Sequence, residues 1–503
     1  MSEGSWPIVA LGELIETIEA GSSFRCRETP PDHGEVGVAK VSAVSWGRYD
    51  EQESKTCLDP NRISEELLIR KGDFLISRAN TVELVGACVV AEQVSKKVML
   101  SDKTLRIQFK DPSLKPWVLH FLRSRAGRQQ IEALCTGNQQ SMRNISQRSL
   151  RQIELPLAPP EQRQEILSFI DQQLSRADAT TTTLKAIQVK LKQARASILK
   201  AAVEGKLVET EAELARQSGR YYEDAEELFE RVTLEAATQP EEGRKRKCVL
   251  ASIKPDTEAE LPEPPEGWTW LRIDAVGVVQ LGRQRTPKDH NGPHMCPYMR
   301  VANVFEDRID LTDVKQMNFT PEEQESFRLE YGDILLNEGQ SPHLVGRPAM
   351  WRDEVQNTCF QNTLVRFRAT DAVLPRYALI VFRAQLHGRR YMKIAKITTN
   401  IAHLGAQRFA AVEFPLAPLA EQHRIVAEVE RRFSVIDEVE ATINASLSRC
   451  SQLRQAVLKR AFVGESSRSE AVWHTHLPQQ RLVPPSRSGC SGGSTSMKTI
   501  ICT

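Results

Sequence analysis

Two long stretches of the chain repeat apolar residues at alternating steps of three and four. One runs over residues 166–201 and the other over residues 425–461, and no Pro or Gly interrupts either. This spacing predicts two long amphipathic helices with a coiled-coil seam. Both stretches stop at a glycine, Gly205 and Gly464, as helices often do. We expect the seam at Ile166, Ile170, Leu174, Leu184, Ile187, Leu191, Ile198, Ile425, Val429, Phe433, Ile436, Val439, Ile443, Leu447, Leu453 and Val457.

About 150 residues with a different pattern precede each predicted helix. Short β-rich runs, such as residues 86–91 and 364–367, alternate with Gly, Pro and Asn turns. The pattern therefore predicts an α+β protein, in which two α/β domains are separated by two long helices.

The chain is an internal duplication. Residues 72–90 (GDFLISRANTVELVGACVV) align without a gap with residues 332–350 (GDILLNEGQSPHLVGRPAM), at an offset of 260. Residues 155–166 (LPLAPPEQRQEI) resemble residues 414–426 (FPLAPLAEQHRIV). Because domain and helix alternate, antiparallel pairing of the helices would relate the copies by an approximate two-fold axis.

The repeat gives the predicted boundaries. The two α/β domains are residues 1–155 and 266–414, the helices are residues 156–208 and 415–466, residues 209–265 form an acidic linker, and residues 467–503 form a disordered tail.

Charge is unevenly distributed along the chain. The 503 residues carry a net charge of +2, but residues 204–266 contain 17 acidic and 9 basic side chains, which leaves +10 elsewhere. That excess suits a polyanionic partner, although a solvated surface explains it equally well. The sequence has no predicted signal peptide or membrane span, and the ten cysteines are scattered, so we expect a cytoplasmic protein with reduced thiols.

No catalytic motif stands out. The chain lacks a methyltransferase N/D-P-P-Y/F tetrapeptide, a glycine-rich S-adenosylmethionine loop and a phosphate-binding P-loop. Asp32, Glu53 and Lys55 fit the loose P-D…E-x-K pattern of metal-dependent nucleases, which arises often by chance. His474 and His476 are too few for a metal site, so we predict neither catalysis nor metal binding.

The order of motifs resembles the specificity subunit of Type I restriction-modification systems. The motifs are P-L-A-P-x-E-Q before the first helix and the same run with one residue inserted, P-L-A-P-L-A-E-Q, before the second. SILKAAVEG and AVLKRAFVG at the helix ends and the G-D…L-V-G segments complete the set. The resemblance implies two target recognition domains that each read half of a bipartite double-stranded DNA site, with the helices as the spacer. It also implies docking of two methyltransferase subunits and of restriction subunits, which would bind S-adenosylmethionine, ATP and Mg²⁺.

A helix over residues 166–201 would span roughly 50 Å, more than one DNA turn of about 34 Å. The alternative function is a coiled-coil scaffold with generic binding modules. Polar and cationic residues in irregular segments are the predicted DNA contacts, although an ordinary surface role is open for each: Arg25, Arg27, Lys40, Arg78, Asn138, Gln139 and Arg143 in the first domain, and Arg283, Arg285, Lys288, Arg300, Gln340, His343 and Asn400 in the second.

Overall fold

The computed structural model describes residues 6–45, 47–137, 142–238, 261–398 and 401–462. Asn138, Gln139, Asn400, Gly464 and the predicted tail lie outside these ranges. The described residues form two compact units. Unit 1 comprises the described residues up to Thr182 and from Leu447 onwards, and unit 2 comprises those between Thr183 and Ser446.

Each unit contains many short strands. Those of unit 1 are β1 (Ile8–Ala10), β2 (Ile15–Ala20), β3 (Cys26–Arg27), β4 (Gly37–Ala39), β5 (Ser54–Cys57), β6 (Phe74–Ser77), β7 (Ala79–Asn80), β8 (Cys88–Val90), β9 (Val98–Met99), β10 (Thr104–Phe109), β11 (Arg143–Asn144) and β12 (Glu154–Pro156). Those of unit 2 are β13 (Thr269–Arg272), β14 (Gly277–Leu281), β15 (Met295–Met299), β16 (Val304–Phe305), β17 (Arg308–Ile309), β18 (Lys315–Asn318), β19 (Ile334–Asn337), β20 (Gly339–Gln340), β21 (Pro348–Met350), β22 (Cys359–Phe360), β23 (Leu364–Ala369), β24 (Lys396–Thr398), β25 (Ile401–His403) and β26 (Glu413–Leu416).

Two helices of 44 residues each are much longer than the others. In chain order the α-helices are α1 (Leu11–Leu14), α2 (Lys115–Arg123), α3 (Arg125–Leu134), α4 (Gln147–Arg151), α5 (Pro160–Val203), α6 (Glu211–Ser218), α7 (Ala225–Thr238), α8 (Ile273–Val276), α9 (Pro321–Phe327), α10 (Pro375–His387), α11 (Arg390–Ile394), α12 (Ala406–Ala410) and α13 (Leu419–Phe462).

The two units share one topology. Unit 1 has a four-stranded sheet in the order β2-β10-β6-β8, and unit 2 has β14-β23-β19-β21. The parallel pair β4 with β9 recurs as β15 with β22, and the pair β1 with β12 recurs as β13 with β26. This recurrence confirms the predicted α+β class and the internal duplication.

The repeated Gly-Asp dipeptide begins the same strand in both units and has a structural role. Gly72 and Gly332 have φ of +88° and +91°, which a side chain would disfavour. The Asp73 carboxylate accepts a hydrogen bond from the backbone of Arg70 and pairs with Arg106 at 3.1 Å. In unit 2 the buried Asp333 carboxylate pairs with Arg368 at 2.6 Å. The motif therefore closes a turn and anchors a strand.

In unit 1 the two long helices contribute to the domain core. Ile166 and Ile170 of α5 and Val457 and Leu458 of α13 are buried in the cluster that contains Trp117 of α2. The Phe462 ring lies 4.9 Å from the Trp117 ring, edge to face. The N-terminal part of α5 and the C-terminal part of α13 pack into the same core, so the two helices run antiparallel within this unit.

In unit 2 the same two helices pair along different segments. The Gln188 amide donates to Asn444 at 2.9 Å, and Arg195 contacts Glu440 at 3.1 Å. As the residue number rises along α5, the residue number of the contacting residue on α13 falls, so the helices run antiparallel here too. Of the expected seam positions, Val439 is 38% exposed, and every other one is buried or half-buried.

The segment expected to be an acidic linker contains two helices, α6 and α7. Ala225, Leu228 and Val232 of α7 are buried in the core of unit 2, whereas Tyr221 is 76% exposed. The described part of the linker therefore packs as part of unit 2.

Candidate nucleic-acid interface

Unit 1 brings its described candidate residues together in two groups. Arg25 precedes β3, Arg27 lies on it, and Lys40 follows β4 in the same sheet. Arg78 and Arg143 form the second group, since Arg143 pairs with Asn80 across β7 and β11, and the Arg78 carbonyl accepts from the Ile145 amide at 2.9 Å.

In the first group Arg25 and Arg27 are exposed and Lys40 is half-buried, and their charges are only partly neutralised. The Arg27 guanidinium pairs with the Glu35 carboxylate at 2.7 Å, and 43% of its side chain is exposed. Lys40 donates from Nζ to the Glu28 carbonyl oxygen at 3.0 Å, and Arg25 is exposed. Such cations can contact phosphates without burying an unpaired charge.

Unit 2 holds Arg283 in a structural ion pair. Its guanidinium contacts Asp289 at 3.0 Å and Glu323 at 2.6 Å, and its carbon lies 5.2 Å from the centre of the Phe319 ring. Hydrogen bonds from Arg283 lower the pKa of Asp289 to about 2. Because only 15% of the Arg283 side chain is exposed, its charge is already compensated within the protein.

The neighbouring Arg285 and Lys288 are exposed. Lys288 lies in a short 3₁₀ turn, Pro287–His290, and Arg285 donates from Nε to His290 at 3.1 Å. Arg300 is paired with Asp313 and is half-buried. Arg285 and Lys288 therefore remain the more accessible cations of this group.

Gln340 and His343 belong to a second group in unit 2, beside a small sheet in the order β20-β25-β24. Gln340 pairs with Ala402, and β24 and β25 form an antiparallel pair. His343 is exposed in the turn after β20. This sheet is the counterpart of the β7 and β11 pair in unit 1.

Two exposed cations at this small sheet, one on β24 and one on α12, were not among the predicted DNA contacts. Lys396 begins β24, and Arg408 donates from Nη2 to the His403 carbonyl oxygen at 2.8 Å, at the end of β25. Strands of three residues leave too short a pattern to be recognised, and only the offset of 260 from β7 to β20 could have indicated them.

The nuclease-like pattern does not assemble a site. Lys55 pairs with Glu28 at 2.7 Å, Glu53 accepts from the Ser42 hydroxyl at 2.6 Å, and the backbone of Asp32 donates to Glu35. Within the described ranges, no three His, Cys, Asp or Glu side chains are grouped as a metal site requires. No helix of the described chain has the length and apolarity to cross a membrane.

Comparisons with known proteins point in one direction. A family model for the Type I restriction modification DNA specificity domain matches residues 265–449. The chain is 24% identical over 364 residues to the Type I restriction enzyme EcoKI specificity subunit of Escherichia coli K12, covering 72% of this chain and 67% of that subunit. It is 29% identical over 185 residues to the EcoEI specificity subunit of Escherichia coli, covering 36% of this chain and 31% of that subunit.

The fold is also similar to a solved chain from a study of complex assembly and conformational transition in the type I R-M system. The TM-score is 0.54 at 17% identity, and the superposition covers 92% of this chain and 98% of that one. At this identity the likeness concerns the fold.

Proposed function

Since the chain belongs to the family of Type I restriction-modification specificity subunits, we propose that it reads a bipartite double-stranded DNA site, with one unit for each half-site. The observation that carries the proposal is the repeat of one topology in both units, down to the small sheet that holds the second group of candidate residues. A duplicated reader suits a target in two parts.

Exposed cations support binding to the phosphate backbone. Arg25 and Arg27 in unit 1, and Arg285, Lys288 and Lys396 in unit 2, all present charge to solvent. Each neutralised phosphate makes the logarithm of the binding constant fall by about 0.9 per logarithm of salt concentration. Base contacts from the same surfaces would then supply specificity.

Reading two half-sites accounts for the presence of two domains. A correct contact discriminates one base pair by roughly 1–3 kcal/mol, so a domain that reads a few pairs cannot stand out against a genome of competing sites. Two domains that act together about double that free energy.

In this proposal the chain is not itself a catalyst. Two methyltransferase subunits dock on it and bind S-adenosylmethionine, and restriction subunits that use ATP and Mg²⁺ join through them. The paired helices α5 and α13 serve as the spacer that sets the gap between the half-sites.

The test is to map methylated positions genome-wide in cells with and without this gene. We expect a split sequence motif to be methylated only when the gene is present. The scaffold alternative predicts an unchanged methylation map and a purified chain without salt-dependent affinity for duplex DNA, and either result would count against the proposal.

A further inference from the structure

The small sheet of each unit exposes a large apolar side chain at the same position, and the sheet of unit 2 also exposes Ile397 of β24, at 56%. Asn80 pairs with Arg143 in unit 1, and Gln340, its counterpart at the offset of 260, pairs with Ala402 in unit 2. The residues just before these partners are Met142 and Ile401. They are 57% and 49% exposed.

The duplication makes this coincidence informative. Single exposed apolar residues are common on protein surfaces and do not by themselves indicate a binding site. Among the large apolar residues exposed in the described chain, however, Met142 and Ile401 occupy equivalent positions in the two copies of the repeat. Their identities differ, but the apolar character at that position is kept in both units.

Neither side chain contributes to a core. Both are absent from the buried clusters of the described chain, whereas the neighbouring Ala402 is fully buried. Met142 directly precedes β11, and Ile401 lies on β25, the central strand of its sheet, so neither side chain belongs to an edge strand that could pair with another chain. An exposed apolar side chain at the same position in both units therefore points to a contact with a partner.

Charge complementarity favours duplex DNA as that partner. Arg143 follows Met142 directly, and Arg78 lies on the adjacent segment. In unit 2, Lys396 and Arg408 flank β25, and the acidic side chain of Glu338 beside that strand is paired with His403 at 3.2 Å. Cations around an apolar centre suit a surface that holds phosphates while an apolar side chain reaches the bases.

We propose that Met142 and Ile401 each make an apolar contact with a base pair of the half-site that their unit reads. The contact is either to a thymine methyl group or between two stacked base pairs, because both present apolar surface to an aliphatic side chain. This inference rests on the proposed function, and it assigns the two residues to specificity, separately from phosphate binding.

The test uses the full chain and duplexes that carry the mapped site. Ile401→Ser and Met142→Ser are compared with Val278→Ser, a control residue that is 46% exposed on the edge strand β14 of a different sheet. We expect each of the first two variants to bind the intact site about tenfold more weakly. Affinity for a scrambled duplex, the salt dependence and the thermal unfolding temperature should stay the same, and the control should match the wild type.

Hybrid duplexes with one scrambled half-site assign the effect to a unit. Ile401→Ser should lose affinity only when the half-site read by unit 2 is intact, and Met142→Ser only for the other one. Equal losses on specific and scrambled duplexes, or no loss at all, would overturn the inference.

Two modified duplexes distinguish the forms of contact. Replacing thymine with uracil removes the methyl group and should weaken the wild type but not the serine variant. If the side chain instead inserts between stacked bases, the fluorescence of a 2-aminopurine placed in the site should increase when the wild type binds. It should not increase when the serine variant binds. If the serine variants bind more weakly but neither the uracil nor the 2-aminopurine duplex gives the expected result, the inference of a base contact is refuted. If the wild-type chain binds the site and a scrambled duplex equally well, the proposed function itself is refuted.

Discussion

Glu421 is a fully buried carboxylic acid near the start of α13. It accepts hydrogen bonds from the Trp268 indole at 3.0 Å and from the Glu211 backbone at 2.8 Å. Burial raises its pKa to about 7, against the lowering effect of those two hydrogen bonds and of Arg424. The next residue, Gln422, is also buried, and its amide bonds to backbone atoms of Ala372, Leu374 and Ala417. The Glu-Gln dipeptide of the repeat therefore joins α13 to unit 2.

We predict that Glu421 makes stability depend on pH. Its folded pKa of about 7 lies above the ordinary value of 4.5, so the stabilisation is complete below pH 4.5 and is lost as pH rises through 7. We therefore expect the free energy of unfolding in urea to fall by up to roughly 3 kcal/mol more in the wild type than in Glu421→Gln between pH 5 and pH 8.

The control is Glu438→Gln, which changes an exposed glutamate on the same helix and should follow the wild type. The glutamine at 421 also loses one accepted hydrogen bond, but that loss is the same at every pH. Parallel pH profiles for Glu421→Gln and the wild type would contradict the assignment.

At the residue scale, the chemical type of a candidate DNA contact could be predicted from the sequence, but its exposure and its ion-pair partners could not. It selected Arg283 and Lys288 alike, because both are cations in an irregular segment. The structure separates them, since two carboxylates hold Arg283 and Lys288 is exposed. The partners of Arg283 lie 6 and 40 residues away, and the more distant one could not be read from local sequence.

At the scale of elements, the long helices were the easiest part to predict. A heptad pattern sustained over many turns is typical of a long paired helix, and the structure shows two helices of 44 residues. The strands were harder because several have only two or three residues, as in β7, β11 and β24. Their pairing depends on contacts distant in sequence.

The spacer role predicts how the gap between half-sites responds to helix length. Seven residues inserted after Leu191 in α5 and seven after Glu440 in α13 keep the seam in phase. Both flanking contacts, Gln188 with Asn444 and Arg195 with Glu440, can re-form on either side of the insertion. The added length of about 10.5 Å should widen the gap by about three base pairs, which methylation mapping would show.

Both half-sequences should be unchanged in that variant. An insertion in α5 alone is the control, because it misaligns the paired side chains and should lower stability. A doubly extended chain that methylates the original gap would show that the helices do not set the spacing.

At the scale of the whole molecule, the duplication was predicted from a gapless alignment. Backbone hydrogen bonds near the ends of each domain suggest where a segment can be exchanged. The Ile273 amide donates to the Val412 carbonyl at 3.0 Å, and the Leu11 amide donates to the Ile153 carbonyl at 2.7 Å. These bonds bring the two ends of each domain together. Dividing the chain at residues 266 and 414 would instead cut through the β13 and β26 pair.

We therefore predict that residues 273–412 can be exchanged for the equivalent segment of a relative with a different target. The methylated motif should then change in one half only, because β13, β26 and both long helices are retained. Exchanging residues 11–153 should change the other half, and a change in both halves after either exchange would contradict independent reading.

The packing of Val457, Ala461 and Phe462 against Trp117 and Phe121 also has a consequence for biosynthesis. The ribosome makes the β-rich part of unit 1 first, but the side chains that complete its interior emerge about 300 residues later. At roughly 5–20 residues per second this is a delay of about 15 to 60 s. The domain that is translated first is thus completed last, and its apolar surface stays uncovered until translation reaches the final turns of α13.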